Sequence, residues 1–123
     1  MFCAVGLGAF GAHGLRDFLQ QHGYAAVWET AVLYQLIHAL ALFAAGLFAR
    51  ARPEVRRARS FVFAGRLLLA GTLLFSGSLY ALCLGAPKWI GPVTPLGGLS
   101  LMAGWIGYGI WSLRAGISTK REA

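Results

Sequence analysis

The sequence has few acidic residues and few charged residues of any kind. Only 4 of its 123 residues are Asp or Glu, against 11 Lys or Arg, so the formal net charge is +7. Charged residues make up 12% of the chain, whereas soluble proteins average about 25%. With 58% hydrophobic residues and a mean hydropathy of +0.64, the composition argues against a water-soluble globule and excludes intrinsic disorder.

The motifs of common catalytic and metal sites are also missing. The sequence contains no HExxH, no CxxC and no GxSxG. Cys3 and Cys83 lie alone in apolar runs and are interpreted as small hydrophobic residues that form no disulfide. Gly6, Gly8 and Gly11 fit GxGxxG, but no strand precedes them, so a dinucleotide site is rejected. We therefore expect no enzyme activity, no metal and no cofactor.

Four apolar runs dominate the chain, at residues 1–15, 25–49, 61–86 and 95–113. A bilayer core of about 30 Å needs about 20 helical residues, which the last three runs approach or exceed. The first run is too short. It is interpreted as a membrane helix lacking its first turn or two; the alternative is a signal-peptide core, although no basic n-region and no A-x-A cleavage site accompany it. The predicted fold is all-α: one bundle of four transmembrane helices in a single domain.

Basic residues are distributed unequally between the predicted loops. Arg16 and Lys88 are the two on one side, whereas the loop 50–60 and the tail 114–123 together hold eight. Short loops rich in Arg and Lys stay in the cytoplasm, so both termini are predicted to be cytoplasmic in a bacterial inner-membrane protein. The loop arginines are expected to contact lipid headgroups rather than nucleic acid. They are Arg50, Arg52, Arg56, Arg57 and Arg59.

Aromatic residues fit this topology. Tyr24, Trp28 and Trp89 fall near the predicted outer boundary, and Trp111 falls near the inner one, where amphipathic rings favour the headgroup layer. Trp105 lies in the middle of its run and is predicted to pack inside the bundle.

Small residues are abundant inside the apolar runs, and the chain has 17 glycines in all. Glycine and alanine let membrane helices approach one another closely. In the first run they recur at a spacing of four, as Ala4, Gly8 and Ala12. We interpret this pattern as helix packing within one bundle; the alternative is the face of a homo-oligomer.

The second apolar run carries the most informative polar residues. Tyr34, Gln35 and His38 lie within four residues of one another and share a helix face. Together with Ser76 and Ser78 of the third run they form a candidate functional polar face. His38 is predicted to be a neutral, mid-membrane histidine that bridges helices by hydrogen bonds to Tyr34, Ser76 or Ser78. A proton relay, a ligand contact and a metal ligand are the alternatives.

A second candidate cluster, His13 and Glu29, is predicted at the outer side. Glu29 is interpreted as an interfacial carboxylate with Arg16 or Lys88 as its possible partner. His13 would approach Glu29 across the first hairpin, because short loops make neighbouring helices antiparallel.

Four motifs along the chain resemble a known family. They are GAFGAHGL (8–15), W-x-T-A-x-x-Y-Q-x-x-H-A-L-A-L (28–42), LLFSGSLYAL (73–82) and TPLGG-x-x-x-x-AGW (94–105). In this order they are similar to the YgdD/YwdK-like small membrane proteins, also called domain of unknown function 423. The resemblance implies a four-helix integral membrane protein of the bacterial inner membrane, with relatives in eukaryotes. It implies no catalytic residue, because the family's biochemical function is not established. The motif positions include His13, Tyr34, Gln35, His38, Ser76, Gly77, Ser78, Tyr80, Thr94, Pro95, Gly97 and Gly98.

Three functions are compatible with these observations. The first is a non-enzymatic accessory or assembly protein that packs against a larger membrane complex or its own copies. The second is a small transporter or channel that uses the polar face of His38. The third is a binder of a lipid or quinone-type ligand, with a pocket open to one leaflet near His13, Glu29 and Trp89. Membrane lipids are expected partners in every case.

Overall fold

The chain is helical throughout the part that the structure describes. This structure, a computed structural model, describes the backbone of residues 1–121 and the side chains of residues 1–115. No strand occurs within residues 1–121. The helices are α1 (Phe2–Ala12), α2 (Arg16–Gln21), α3 (Ala25–Ala51), α4 (Pro53–Arg57), α5 (Arg59–Cys83), a 3₁₀ turn (Lys88–Ile90) and α6 (Val93–Arg121).

The two central runs form the two helices that are long and apolar enough to cross a membrane, α3 and α5. α3 ends two residues later than predicted, at Ala51, because Pro53 favours the extended conformation that Arg52 adopts (φ −130°, ψ 95°). α5 ends at Cys83, three residues earlier than predicted. Gly85 turns the chain there at φ +88°, a conformation that side-chain-bearing residues rarely adopt.

The first and last runs also differ from the prediction at their ends. α1 stops at Ala12 rather than 15, where the Leu15 N–H donates to the Phe10 carbonyl at 2.9 Å and closes the helix. It is an apolar helix of 11 residues, about 16 Å long. α6 begins at Val93 and continues to Arg121, because no proline interrupts it after its first turn. The predicted tail is thus helical as far as Arg121, and residues 122–123 lie outside the described part.

Two connections that were predicted as loops contain short helices. α2 occupies most of the first connection, and Gly23 then reverses the chain with φ +72° before α3 begins. α4 lies in the arginine-rich connection, with Pro53 in its first turn, where a missing N–H costs nothing. Both connections therefore hold their side chains in fixed register against the long helices.

The long helices pack in chain order. α1 packs on α3, α3 packs on α5, and the contact between α5 and α6 is the most extensive. α6 also reaches α3 through aromatic pairs, among them Phe48 with Trp111 at 6.0 Å between ring centroids. The end of the bundle beside the arginine-rich connection is thus an aromatic cluster in which Trp111 touches Phe48 and Phe61.

Most apolar side chains face outwards. Only 11% of the apolar window of α3 and 33% of that of α5 are buried. A core helix of a soluble protein would be mostly buried. The apolar surface of this bundle is instead exposed, as expected for a protein surrounded by lipid. Large exposed side chains occur on every long helix; they include Phe2, Leu33, Leu40, Phe43, Phe63, Leu73, Leu96, Ile106 and Leu113.

Glycines form the contact between α5 and α6. A Cβ on Gly97 would collide with the backbone of Phe75, and a Cβ on Gly71 would lie 2.8 Å from the backbone nitrogen of Leu101. Gly104 lies in the same way against Leu68. The two backbones approach so closely because these positions have no side chain. We call this contact the α5–α6 seam.

Candidate functional site

His38 is buried on α3, and both of its ring nitrogens make hydrogen bonds. Its Nδ1 lies 2.7 Å from the carbonyl oxygen of Tyr34, and its Nε2 lies 3.2 Å from Nε1 of Trp105 on α6. An indole N–H can only donate and a carbonyl can only accept, so Nε2 must be unprotonated and Nδ1 must carry the proton. The geometry therefore requires the neutral imidazole that the sequence predicted, and this ring ties α3 to α6.

The predicted serine partners of His38 are wrong. The ring bonds to Trp105 of α6 instead of Ser76 or Ser78, and the Ser78 hydroxyl bonds to Thr94 and to the Phe75 carbonyl instead. Trp105 was expected inside the bundle, but 47% of it is exposed. Its N–H reaches the histidine, while much of the ring lies at the protein surface.

The rest of the predicted polar face is divided between neighbours. The Tyr80 hydroxyl on α5 donates to Oε1 of Gln35 at 2.8 Å. The Tyr34 ring is 38% exposed and stacks on Phe75, with 4.5 Å between centroids. Each group thus contacts a different part of the bundle, and these polar atoms do not converge on one cavity.

The two serines lie apart from His38. The hydroxyl of Ser78 is 2.7 Å from that of Thr94 on α6 and donates to the carbonyl of Phe75 at 3.0 Å. Ser76 is buried, and its hydroxyl has no hydrogen-bond partner among the described residues. Two residues apart on a helix point in nearly opposite directions, so the serines could not share one face.

A pocket of about 420 Å³ lies between α1, α2 and α3. On α3 it is lined by Glu29, Val32, Leu33 and Leu36, which follow one another at helical spacing along a single face. The facing wall is made of small residues of α1 and side chains of α2. These residues are Gly8, Gly11, Ala12, Arg16, Leu19 and Gln20, with Ala25 and Trp28 completing the lining.

The pocket changes from polar to apolar along α3. Arg16, Gln20 and Glu29 lie at the end where α1 stops and α3 begins. Leu36 lies two turns further along α3, about 10 Å from Glu29 along the helix axis. A site with a charged end and an apolar wall of this length matches an amphipathic molecule.

Trp28 holds this pocket in place. It was predicted as an anchor at the outer boundary, but it is only 3% exposed and packs between helices. Its indole N–H donates to the carbonyl of Leu7 on α1 at 3.0 Å. A Cβ on Gly11 would overlap the indole ring, so glycine there is what lets the tryptophan enter. The ring also packs on Tyr80, at 4.7 Å between centroids.

The predicted outer cluster is brought together only in part. Glu29 and Arg16 both line the pocket, but no ion pair joins them, and none joins Glu29 to Lys88. His13 is exposed and does not line the pocket, because α1 ends just before it. The sequence analysis missed the contribution of Gln20 and read Gly8 and Ala12 only as packing residues. Their spacing was visible, but which face of α3 they would oppose was not.

The loop arginines separate into two groups. Arg56, Arg57 and Arg59 line a second depression with Val62, Phe63 and Arg66. Arg52 instead lies 3.9 Å from Glu54 and 5.8 Å from the Phe48 ring centroid. Arg50 is exposed in the last turn of α3. The five predicted headgroup contacts are therefore not equivalent.

The thiols and other metal-ligating groups are scattered. Cys3 is exposed and Cys83 is buried, and both are free thiols. Among the described residues, no three His, Cys, Asp or Glu side chains are close enough to hold a metal ion.

Comparison with known proteins identifies the family. A family model described as a protein of unknown function, DUF423, matches residues 7–98. The chain belongs to this family. The match includes every residue that lines the pocket between α1 and α3, and it includes His38 but ends before Trp105. The resemblance drawn from the four motifs is therefore confirmed.

Family relatives carry the description of membrane proteins. A UPF0382 membrane protein of Staphylococcus aureus and the UPF0382 membrane protein YwdK of Bacillus subtilis are each 45% identical over 103 residues, covering 84% of this chain and 80% of the relative. A UPF0382 membrane protein of Schizosaccharomyces pombe is 41% identical over 108 residues, covering 83% of this chain and 85% of the relative. No solved structure is significantly similar. The chain is thus a helical membrane protein of an uncharacterised family.

Proposed function

We propose that this protein binds a single phospholipid in the pocket between α1 and α3 and acts by binding rather than by catalysis. In this proposal α3, α5 and α6 cross the bacterial inner membrane, whereas α1, about 16 Å long, enters it beside α3; the arginine-rich connection and the C-terminus lie in the cytoplasm. The outward-facing apolar surface and the unequal distribution of basic residues support that topology. A reporter fused after residue 123 should be active on the cytoplasmic side; a periplasmic signal would contradict this topology.

The observation that carries the ligand proposal is the polarity of the pocket. Its charged end lies at the start of α3, the predicted outer boundary, where a lipid headgroup would lie. Its apolar wall of Val32, Leu33 and Leu36 continues into the span, where an acyl chain would lie. The residues that leave room for the chain are Gly8 and Ala12 of α1.

The charges at that end indicate a zwitterionic headgroup. Arg16 supplies a cation that suits a phosphate, and Glu29 supplies an anion that suits an ammonium group. Because these two side chains are not paired with each other, both are available to a ligand. A phosphoethanolamine headgroup offers both charges and the amine hydrogen-bond donors that a carboxylate accepts.

The polar face of α3 supports transport less well. Gln35 and both nitrogens of His38 are engaged in hydrogen bonds within the protein. A proton or solute path along this face would first have to break the bond that joins α3 to α6. We therefore assign His38 a structural role in this proposal.

An assembly role is the second candidate, and the outer face of α6 favours it. Gly109 is exposed with open space where a Cβ would stand, and Ala103 is exposed as well. Between them Ile106 is 63% exposed. Small residues flanking an apolar side chain would allow a helix of a larger complex, or of a second copy, to approach closely.

The experiment is native mass spectrometry of the protein purified gently from its own membranes. Wild type should retain one phospholipid of ethanolamine type for each chain. Ala12→Leu should lose it, because Ala12 lines the pocket and a leucine would fill it. Ala9→Leu is the matched control, since Ala9 is exposed on the same helix and does not line the pocket.

The other outcomes are equally informative. A wild-type protein without lipid, or equal retention by both variants, would overturn the pocket assignment. A bound quinone lost only from Ala12→Leu would keep the pocket and replace the ligand class. A stoichiometric second subunit, with no small molecule, would favour the assembly role.

A further inference from the structure

Four arginines converge where α4 meets the start of α5. Arg56, Arg57, Arg59 and Arg66 line a depression of about 460 Å³ together with Val62 and Phe63. Its lining contains no acidic residue, so its four positive charges are not neutralised within it. The site lies at the opposite end of α3 from the α1–α3 pocket.

No carboxylate in the described part forms an ion pair with these four arginines. Glu54 on α4 lies 3.9 Å from Arg52, which is not part of the depression. Asp17 and Glu29 lie in α2 and in the first turns of α3, and α3 is 27 residues long, about 40 Å. At such a distance their fields are screened by salt. The four guanidinium groups are thus available to bind anions from outside the chain.

Arg66 places one of these charges within a membrane-crossing helix. It lies seven residues after Arg59, two turns further along α5 and about 10 Å deeper. Val62 and Phe63 lie between the two arginines and are 37% and 61% exposed. Arg66 is itself exposed, and no described carboxylate forms an ion pair with it. An unpaired guanidinium at that depth is costly unless a phosphate is drawn down to it.

The start of α5 adds a further attraction for anions. The residue before it, Ala58, has no side chain that could cap the helix, and no side chain makes a capping bond there. The first N–H groups of a helix have no partner within the helix and carry partial positive charge. Because Arg59 is the first residue of α5, these groups lie beside the arginine cluster.

We infer that this depression binds one anionic phospholipid whose headgroup carries two phosphate charges, as a phosphomonoester or as two phosphodiesters. The phosphates lie among the four guanidinium groups, whose paired N–H donors match phosphate oxygens. An acyl chain lies along Val62 and Phe63. This apolar stripe at the centre of the basic cluster favours lipid over nucleic acid, which needs a polar surface. The inference requires α5 to be in the membrane but does not require an occupied α1–α3 pocket.

The test is lipid binding by the full chain in phosphatidylcholine nanodiscs, with phosphatidate and cardiolipin as probes and phosphatidylglycerol as the single-charge comparison. Arg59→Gln/Arg66→Gln should weaken binding of both probes by about tenfold or more. Arg50→Gln/Arg52→Gln removes the same net charge from the same region outside the depression. It should weaken binding by less than about threefold. Phosphatidylglycerol should bind more weakly than either probe to the wild type.

Several results would overturn the inference. Equal losses in the two double variants would mean a diffuse basic surface. Displacement of the lipid by inorganic phosphate would mean a free-anion site, and displacement by single-stranded RNA would mean a nucleic-acid site. Should the glutamine variant fail to fold, Arg59→Lys/Arg66→Lys keeps the charge and removes the paired donors. That variant should still bind several-fold more weakly than the wild type, and unchanged binding would contradict the site.

Discussion

The bundle contains two antiparallel helix pairs that use glycine in different ways. Along the α5–α6 seam, glycines at several levels lie against the backbone or the side-chain stem of the partner helix. Between α1 and α3, the indole of Trp28 fills the space at Gly11, and a Cβ on Gly8 would meet only one methyl group of Val32, at 3.3 Å. Repeated close backbone contacts thus join α5 to α6, whereas a single large side chain, Trp28, holds α1 against α3 and leaves a pocket beside it.

Polar contacts repeat the same difference. The seam is crossed by a bond from the Ser100 hydroxyl to the carbonyl of Leu67 at 2.8 Å, and by the Ser78–Thr94 pair. α1 is joined to α3 by one bond, from Trp28 to Leu7. Regions with few contacts open at the lowest free energy, and binding sites are drawn from them. The small residues of α1 therefore leave room for a pocket, whereas those of α6 allow close packing against α5.

The largest effect is expected from Gly97→Ala in the seam. The new Cβ would collide with the Phe75 backbone, which cannot move without separating the helices. We expect the free energy of unfolding in detergent to fall by about 3 kcal/mol. Gly98→Ala is the neighbouring control, since its Cβ would lie 3.8 Å from the Phe75 ring, an ordinary contact. Comparable losses in both variants would contradict close approach at Gly97 as the cause, because alanine is the better helix former and Gly98→Ala meets only an ordinary contact.

A smaller effect, confined to the other pair, is expected from Gly11→Ala. The added Cβ would displace the Trp28 ring and loosen α1 at a cost of about 1–2 kcal/mol. The thiol of Cys83, which is fully buried in one cluster with Trp28 and Leu19, reports this opening. In a Cys3→Ser background, its reaction with a maleimide should become roughly tenfold faster.

Gly6→Ala is the control for that measurement, because nothing lies within 4 Å of its Cβ position. It should leave the labelling rate of Cys83 unchanged. If Gly6→Ala and Gly11→Ala accelerated labelling equally, Trp28 would not be what holds α1 in place.

The smallest effect is expected at the bond between His38 and Trp105, which links the two pairs, as the Tyr80–Gln35 bond also does. A double-mutant cycle of His38→Ala with Trp105→Phe should give a coupling free energy of about 0.6 kcal/mol, the usual size for such bonds in membranes. The same cycle with Trp111→Phe should give none, since Trp111 contacts Phe48 and Phe61 instead. His38→Ala should still insert in the membrane, which quantification of membrane-integrated protein would check. Zero coupling would mean that the His38–Trp105 bond does not stabilise the bundle, and a functional role for His38 would then explain it better.

The sequence was sufficient to predict the four apolar helices, but it missed the short helices α2 and α4 and the exact ends of the others. Runs of apolar residues predicted α3 and α5 to within a few residues. The stops at Ala12 and Cys83 depend on turns at Leu15 and Gly85, which apolar composition does not reveal. The neutral state of His38 followed from the cost of a buried charge. That its partner is Trp105 depends on the register of the seam, and therefore on packing between residues 67 positions apart.

The pocket was beyond sequence reasoning for a related reason. Its walls depend on side chains that are absent, at Gly8 and Gly11, and on which face of α3 they oppose. Trp28 has the position of an interfacial aromatic residue in the sequence, and only the tertiary fold turns it inwards onto α1. Glu29 was predicted to pair with Arg16 or Lys88; Glu29 and Arg16 both line the pocket, but no ion pair joins Glu29 to either residue.

The sequence separation of 67 positions between His38 and Trp105 also has a consequence for synthesis. A chain grows from its N-terminus, so α3 leaves the ribosome long before α6 exists. Until then the Nε2 of His38 has no indole to accept from, and a polar atom stands unmatched in a largely apolar helix. The last long helix to emerge therefore satisfies a polar group on one of the first. An incomplete chain that ends before α6 would therefore have an unpaired histidine nitrogen, which the complete protein does not have.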